Sequence, residues 1–225
     1  MTQLSVVIPT WSGTPELAAM ALELCKVVRP MCDELIVTED AGAYYRGLQE
    51  ISDLYLMHPN LGDVVNINLG MRVSRGDYVI SINSDCEILS GNLRDLCIPD
   101  RVVCPDSNSG GFGGFTGGFF MIPRSVLNNP KYGYLDESKQ YSWISHGAGA
   151  DATYQITAGD ILTMSDKVKV HHRVGVSYAA KRRLAEEQDR QRLLEFPNRE
   201  VDPGRHRNRL EEDPRYAELW GEDNG

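Results

Sequence analysis

Short apolar runs alternate with segments of helical spacing through the first ninety or so positions of the chain. "LSVVIPTW" (Leu4 to Trp11) is an apolar run with Pro9 near its end, and predicts a first strand. "PELAAMALELCKVV" sets Leu17, Met20, Leu22 and Val27 at helical spacing, and "DELIVTED" (Asp33 to Asp40) reads as a second strand that ends in acids. "YYRGLQEISDLY" and "VVNINLGMRV" read as helices, and "RGDYVISIN" as the strand that follows them. This β-α-β-α order predicts an α/β fold, a mostly parallel sheet with helices on its faces. Ligands of such sheets bind at the carboxyl ends of the strands. Thr10–Trp11, Glu39–Asp40 and Asn83–Asp85 are therefore expected to converge on one crevice.

The middle of the chain breaks this rhythm. "DSNSGGFGGFTGGFFMIP" carries six glycines between Gly110 and Gly118 and then an apolar strand, Phe119 to Ile122. A short helix at Ser125 to Leu127 and a turn-rich "NNPKYGYLDES" follow. "ILTMSDKVKVHH" is an alternating strand with Val168, Val170 and His172 on one face. Residues 181–225 hold ten Lys/Arg and twelve Asp/Glu, and "KRRLAEEQDRQRLLEF" predicts a charged helix packing Leu184, Leu193 and Leu194 on the main domain. The expected organisation is a domain over 1–178 and a charged helical extension over 179–225. Within the domain, a nucleotide half spans about 1–100 and an acceptor half about 101–178.

The 225 residues suffice for one large core. A formal charge of −9 gives no global positive field to draw nucleic acid or anionic lipid, although the ten basic residues near the end leave a local stripe open. No run is long and apolar enough to span a bilayer, and Met1-Thr2-Gln3 leads straight into a strand, which predicts a soluble, cytoplasmic protein. Five cysteines without CxxC spacing read as reduced, buried thiols rather than as metal or redox groups. The glycine run lacks the Gly-Lys-Ser/Thr of a P-loop and reads as a flexible loop or tight turns.

Chemistry concentrates at "GDYVISINSDCEIL", where a buried strand runs into Asn83, Ser84, Asp85 and Glu87. Such acids solubilise a loop, or they hold a hard divalent cation together with phosphate oxygens. Upstream spacing decides between these. Asn60 and Gly62, then Asn68 and Gly70, then Arg75-Gly76-Asp77-Tyr78 lead without a gap into the strand. This series resembles the family 2 glycosyltransferases, inverting sugar-nucleotide enzymes of GT-A fold, whose pattern is N-x-G, N-x-G, A-x-G-[DE]-Y and then D-x-D. "LSVVIPTW", "LIVTEDAG", "TGGFFMIPRSVL" with "YGYLDE", "GAGADATYQITAG" and "VHHRVGVS" resemble the family's other segments in order, from Leu4 to Ser177.

The resemblance implies a role for each matching position. Asn83-Ser84-Asp85 takes the place of the D-x-D site, with Asp85 as the retained acid holding Mn²⁺ or Mg²⁺ and Asn83 replacing the first acid. Pro9, Thr10 and Trp11, with Glu39 on the base, would line the nucleoside, and Asn60, Gly62 and Asn68 would complete the donor side. A histidine near the last strand, His172 or His171, would join the cation, with alternation favouring His172. Asp151, the lone acid of "HGAGADATYQ", would start a helix and act as general base, although the family's acid pair becomes Ala150-Asp151 and its following arginine is absent. Gly117, Gly118, Trp143 and His146 would face the acceptor.

The activity implied is non-processive transfer of one sugar, from a UDP-sugar by family frequency, to a glycan, protein, lipid or small-molecule hydroxyl. No Q-x-x-R-W element follows the domain. Modified DNA is disfavoured as acceptor by the acidic balance. Two other readings stand beside it. A nucleotidyltransferase would carry an early G-x-G-T-R loop, which "PTWSGTPEL" lacks. A non-catalytic sugar-nucleotide or glycan-binding module of the same fold would tolerate Asn83 and the missing acid pair. The charged extension offers a surface for a second copy of the chain.

Overall fold

The computed structural model describes residues 2–58, 61–107, 115–139 and 148–173. The predicted tail helix, the boundary near 178 and Ser177 lie outside these residues. Eight strands form one sheet: β1 (Leu4–Thr10), β2 (Glu34–Asp40), β3 (Leu54–His58), β4 (Tyr78–Ile82), β5 (Cys86–Ser90), β6 (Val102–Ser107), β7 (Phe119–Pro123) and β8 (Leu162–His172). The helices are α1 (Pro15–Val28), α2 (Arg46–Ile51), α3 (Asp63–Val73), α4 (Arg124–Leu127) and α5 (Ala148–Ala158). Strand order is β3-β2-β1-β4-β7-β6-β8-β5.

The half of the sheet built from β3, β2, β1 and β4 is parallel throughout. Every residue of β1 and β2 is buried, because helices cover both faces; β1 accordingly reads as a mostly apolar run, whereas β2 carries apolar Leu35–Val37 in its middle and buried polar side chains at both ends. Leu4, Val6 and Ile8 face one core with Leu24, Cys25 and Leu48, on the side of α1 and α2. Val7 and Ile36 face the other, with Val64, Ile67 and Met71 of α3 and Tyr154 of α5. Beyond β4 the sheet becomes mixed: β7 runs antiparallel to β4 and to β6, β8 is parallel to β6, and β5 is antiparallel to β8.

Local chemistry fixes the helices that position the site. Thr14 caps α1 by accepting the Leu17 amide at 3.3 Å, Pro15 opens the helix, and Glu16 and Lys26 sit at the ends that favour their charges. Gly62 caps α3 at φ 92°, a conformation that glycine takes without penalty. Asn66 and Asn68 lie in the middle of α3, both buried, and each is spent on a neighbour. Asn66 donates to the Thr10 carbonyl, and Asn68 exchanges two hydrogen bonds with the Leu135 backbone as a strand would. Among the described residues no helix is long and apolar enough to cross a membrane.

Several expectations are corrected in detail. The stretch read as one helix from Tyr44 to Tyr55 holds only the six residues of α2, and Leu54–His58 pairs in parallel with β2. "CEILS" is a strand against β8 rather than an acidic loop, and "VVCPDS", to which the sequence assigned no element, is a strand with a register shift at Pro105/Asp106. Helix α5 begins three residues before Asp151, which occupies its first turn.

Candidate active site

Because β2, β1 and β4 are adjacent and parallel, their carboxyl ends share one edge of the sheet. The chain leaves β4 through a tight turn, Asn83 to Cys86, closed by the Cys86 amide on the Asn83 carbonyl at 3.0 Å. The Gly118 carbonyl anchors that turn by accepting the Asn83 amide at 2.8 Å and the Cys86 thiol at 3.4 Å. The turn presents Asp85, whose Oδ1 lies 3.0 Å from His172 Nε2 at the end of β8. The Asp85 carbonyl in turn accepts the Arg173 amide, tying the end of β8 to the turn from a second direction. Both side chains are largely buried, at 8% and 14% exposure, so this pair is held rather than washed by solvent.

Two glycines separate this pair from a second acid. The Gly117 amide donates to Asp151 Oδ2 at 3.0 Å, and a Cβ on Gly117 would stand 2.3 Å from Asp151 Oδ1. A Cβ on Gly118 would stand 2.8 Å from His172 Cε1 and 3.0 Å from its Nδ1. The strap therefore needs glycine at both positions to pass between the carboxylate and the imidazole. Burial pushes the Asp151 carboxyl up to about 6, and nearby Asp63 pushes it the same way, against the pull of the Gly117 amide and of His172. A carboxyl poised there exchanges a proton near neutral pH, as a general base requires.

A third group of polar side chains builds the edge beyond β1. Glu39 is fully buried: its Oε1 accepts the amides of Ser12 and Gly42 at 2.8 and 2.9 Å, and its Oε2 accepts the Thr10 hydroxyl at 2.6 Å. The Ser12 carbonyl accepts the amides of Ala43 and Tyr44, so the loops after β1 and β2 are laced together around this carboxylate. Trp11 is 7% exposed and lies so flat against Gly13 that a Cβ there would come within 2.2 Å of its ring. On the other face of the sheet, Asp40 accepts the Leu61 amide and faces His58, whose Nε2 meets Asn66 Oδ1 at 2.8 Å.

The fold agrees with known solved structures. S. aureus TarS superposes with a TM-score of 0.55 at 13% identity, over 80% of this chain and 38% of that one. Glucosyl-3-phosphoglycerate synthase from Mycobacterium tuberculosis, solved with Mn²⁺, UDP and glucosyl-3-phosphoglycerate, gives 0.54 at 16% identity, over 76% and 72%. The mannosyltransferase PcManGT from Pyrobaculum calidifontis, solved with GDP-Man and Mn²⁺, gives 0.58 at 15% identity, over 80% and 60%. The chain has the GT-A fold. It spans little more than a third of that TarS chain and three fifths of the mannosyltransferase. No family sequence model and no curated protein sequence matches it.

On this GT-A frame the positions singled out in the sequence separate into distinct groups. Asp85, His172, Gly117, Gly118 and Asp151 come together, with Asn83 and Ser84 in the turn that presents Asp85. His171 does not join them, since it alternates to the opposite face of β8, exposed and across from Glu87. Pro9, Thr10, Trp11 and Glu39 gather at the neighbouring strand ends, but both oxygens of Glu39 are already spent on the two loops. Asn68 is fully buried and also donates to Glu137 Oε1, so it braces the segment around Leu135 rather than facing the crevice. Gly62 is the cap of α3. Asn60, Trp143 and His146 lie outside the described residues.

The donor chemistry at the end of β4 fits a divalent cation: a carboxylate and an imidazole converge, nearly buried, at an edge where three strands end. Sequence reasoning missed Cys86, whose thiol, the Asp85 carboxylate and the His172 ring have ligating atoms all within 4.8 Å of one another. Strand alternation would send consecutive residues to opposite faces; the turn at Asn83–Cys86 cancels that rule. The His58–Asn66 link was missed as well, because it joins positions eight apart on different elements.

Proposed function

We propose that this protein is a metal-dependent glycosyltransferase that moves one sugar from a nucleotide-sugar donor, UDP-linked in the first instance, to an acceptor hydroxyl with inversion. The observation that carries this reading is the Asp85–His172 pair, set one glycine strap away from a part-buried acid whose carboxyl is raised to about 6. Three structural neighbours of the same fold are named as enzymes or solved with nucleotide sugars, nucleotides or Mn²⁺.

Asp85 and His172 would hold Mn²⁺ or Mg²⁺, and the bound cation would supply Lewis-acid neutralisation of the leaving diphosphate. Asp151 takes the proton of the acceptor hydroxyl as its oxygen attacks the anomeric carbon. The new glycosidic C–O bond forms on one side of that carbon while the bond to the diphosphate breaks on the other, and the nucleoside diphosphate leaves with the electron pair. The Gly117 amide orients the Asp151 carboxylate, and Gly118 fixes the edge of the His172 ring. Glu39 acts through the loops it laces, shaping the edge where a base would lie, and Trp11 gives that edge a rigid apolar wall.

The test is turnover of UDP-, GDP- and dTDP-sugars, with hydrolysis in the absence of acceptor as readout. Asp85→Ala abolishes turnover while the fold survives, and Asp151→Asn lowers it by about 100-fold or more. Full activity in the presence of EDTA contradicts the metal role. A second reading, a binding module of the same fold, is favoured by Asn83 standing where an acid is usual. It predicts nucleotide-sugar binding without hydrolysis, unchanged in Asp151→Asn.

A further inference from the structure

The cation centre of the proposed function is not built from oxygen and nitrogen alone. Cys86 and His172 are directly paired residues of antiparallel β5 and β8, so their side chains share one face of the sheet. Asp85 reaches the same place from the turn that precedes β5. The three ligating atoms, Oδ, Sγ and an imidazole nitrogen, lie within 4.8 Å of one another, and no other group of three such side chains is so placed among the described residues. Cys86 and Asp85 are both buried. The thiol also touches the α1-side core and points its hydrogen at the Gly118 carbonyl, 3.4 Å away.

Resting on the glycosyltransferase reading, we propose that Cys86 is a third ligand and that the centre takes thiophilic divalent cations, Zn²⁺ foremost, with a preference over Mn²⁺ that this sulfur widens. Magnesium and manganese suit oxygen donors, whereas thiolate selects zinc and its borderline neighbours. One carboxylate, one thiolate and one neutral imidazole also cancel the ion's charge and fill three corners of a tetrahedron, which leaves the fourth for a substrate oxygen. As the Sγ–metal bond forms, the thiol proton leaves to solvent and the Gly118 carbonyl loses that donor. His172 Nε2 exchanges its contact with Asp85 for the ion. Any site of this kind ranks Zn²⁺ above Mn²⁺, so the part owed to Cys86 is the change in that margin when sulfur is removed.

The experiment titrates Co²⁺ into the full chain after removal of bound metal, reading the near-ultraviolet thiolate-to-cobalt charge-transfer band, and then measures Zn²⁺ and Mn²⁺ affinities by competition. The wild type develops the band, and Zn²⁺ erases it. Cys86→Ser, close in size to the native side chain, loses the band, with Zn²⁺ affinity falling about 100-fold and Mn²⁺ affinity about tenfold at most. Asp85→Asn keeps the sulfur but weakens Co²⁺ binding, which shows that both groups hold one ion. Co²⁺ binding without the band, or a band that persists in Cys86→Ser or is undiminished in Asp85→Asn, overturns the role of Cys86 and leaves the Mn²⁺-dependent reading standing. Failure of Co²⁺, Zn²⁺ and Mn²⁺ alike to bind the natively folded chain overturns both.

Discussion

Replacing Asp151 by Asn should make the protein more stable and less active, and the gain should depend on pH. Burial raises the Asp151 carboxyl from its ordinary 3.8 to about 6 in the native state. The native protein therefore binds more protons than the unfolded chain between those values, and stability falls as pH rises through that window. Above about pH 6 the ionised carboxylate costs its full amount, about 3 kcal/mol for a displacement of roughly two pH units. Below about pH 3 the cost is absent, because the carboxyl is protonated in both states. Asn does not titrate, and its side-chain oxygen still accepts the Gly117 amide. Urea unfolding at about pH 3 and about pH 7.5 measures the effect: the two proteins coincide at the lower pH, and the variant gains about 3 kcal/mol at the higher. Thermal unfolding near neutrality should rise by about 6–12 °C for a chain of this size. Turnover of the wild type should climb with pH through about 6, a limb that the variant lacks. An equal stability difference at both pH values, or a wild type more stable than the variant near neutrality, refutes the claim that this acid is held ionised at a cost.

Three further substitutions test the supports around the site. Gly118→Ala puts a Cβ 2.8 Å from the His172 ring and displaces the imidazole against Asp85; Mn²⁺ affinity should drop about tenfold to 100-fold by titration calorimetry, with circular dichroism unchanged. Glu39→Gln removes a charged acceptor shared by two buried amides, and should cost about 1–3 kcal/mol in urea unfolding and weaken nucleotide binding through the loosened loops. Asn68→Ala leaves the Leu135 amide and carbonyl unpaired in the interior, and should destabilise the fold by about 2–4 kcal/mol while nucleotide affinity of the folded fraction is retained.

Legibility in the sequence followed burial and periodicity. Strand β1 and helices α1 and α3 could be read almost to the residue, because strands covered on both faces are unbroken apolar runs and α1 carries its own cap in Thr14-Pro15. Strand β3 escaped because it is a half-exposed edge of five residues without clean alternation. β6 escaped because Pro105 interrupts it, where the register with β8 shifts. The antiparallel β7 was read as a strand, but the β-α-β-α rhythm gave its direction no signal. At the site, the spacing of motifs picked out Asp85, Asp151, His172 and the glycine pair that the fold brings together. It could not distinguish a polar residue that faces the crevice from one that braces it. Asn68 and Glu39 sit at motif positions, yet their hydrogen bonds go to the protein's own groups, and that outcome depends on where Leu135, Glu137, Ser12 and Gly42 arrive in space. Cys86 was passed over for the same kind of reason: its partner, His172, is supplied by a strand far along the chain.

The claim on which the rest depends is that the ends of β1, β2 and β4 hold a nucleotide diphosphate through a cation at Asp85. Thermal unfolding with UDP, GDP and dTDP, each with and without Mn²⁺, tests it most directly, since a ligand bound by the native state alone stabilises it by about 2.7 kcal/mol at a hundredfold excess over its Kd. An upward shift is expected with one of the three nucleotides, one that requires Mn²⁺ and disappears in Asp85→Ala. No shift with any of them, or a shift of equal size without Mn²⁺ or with Asp85 removed, contradicts it.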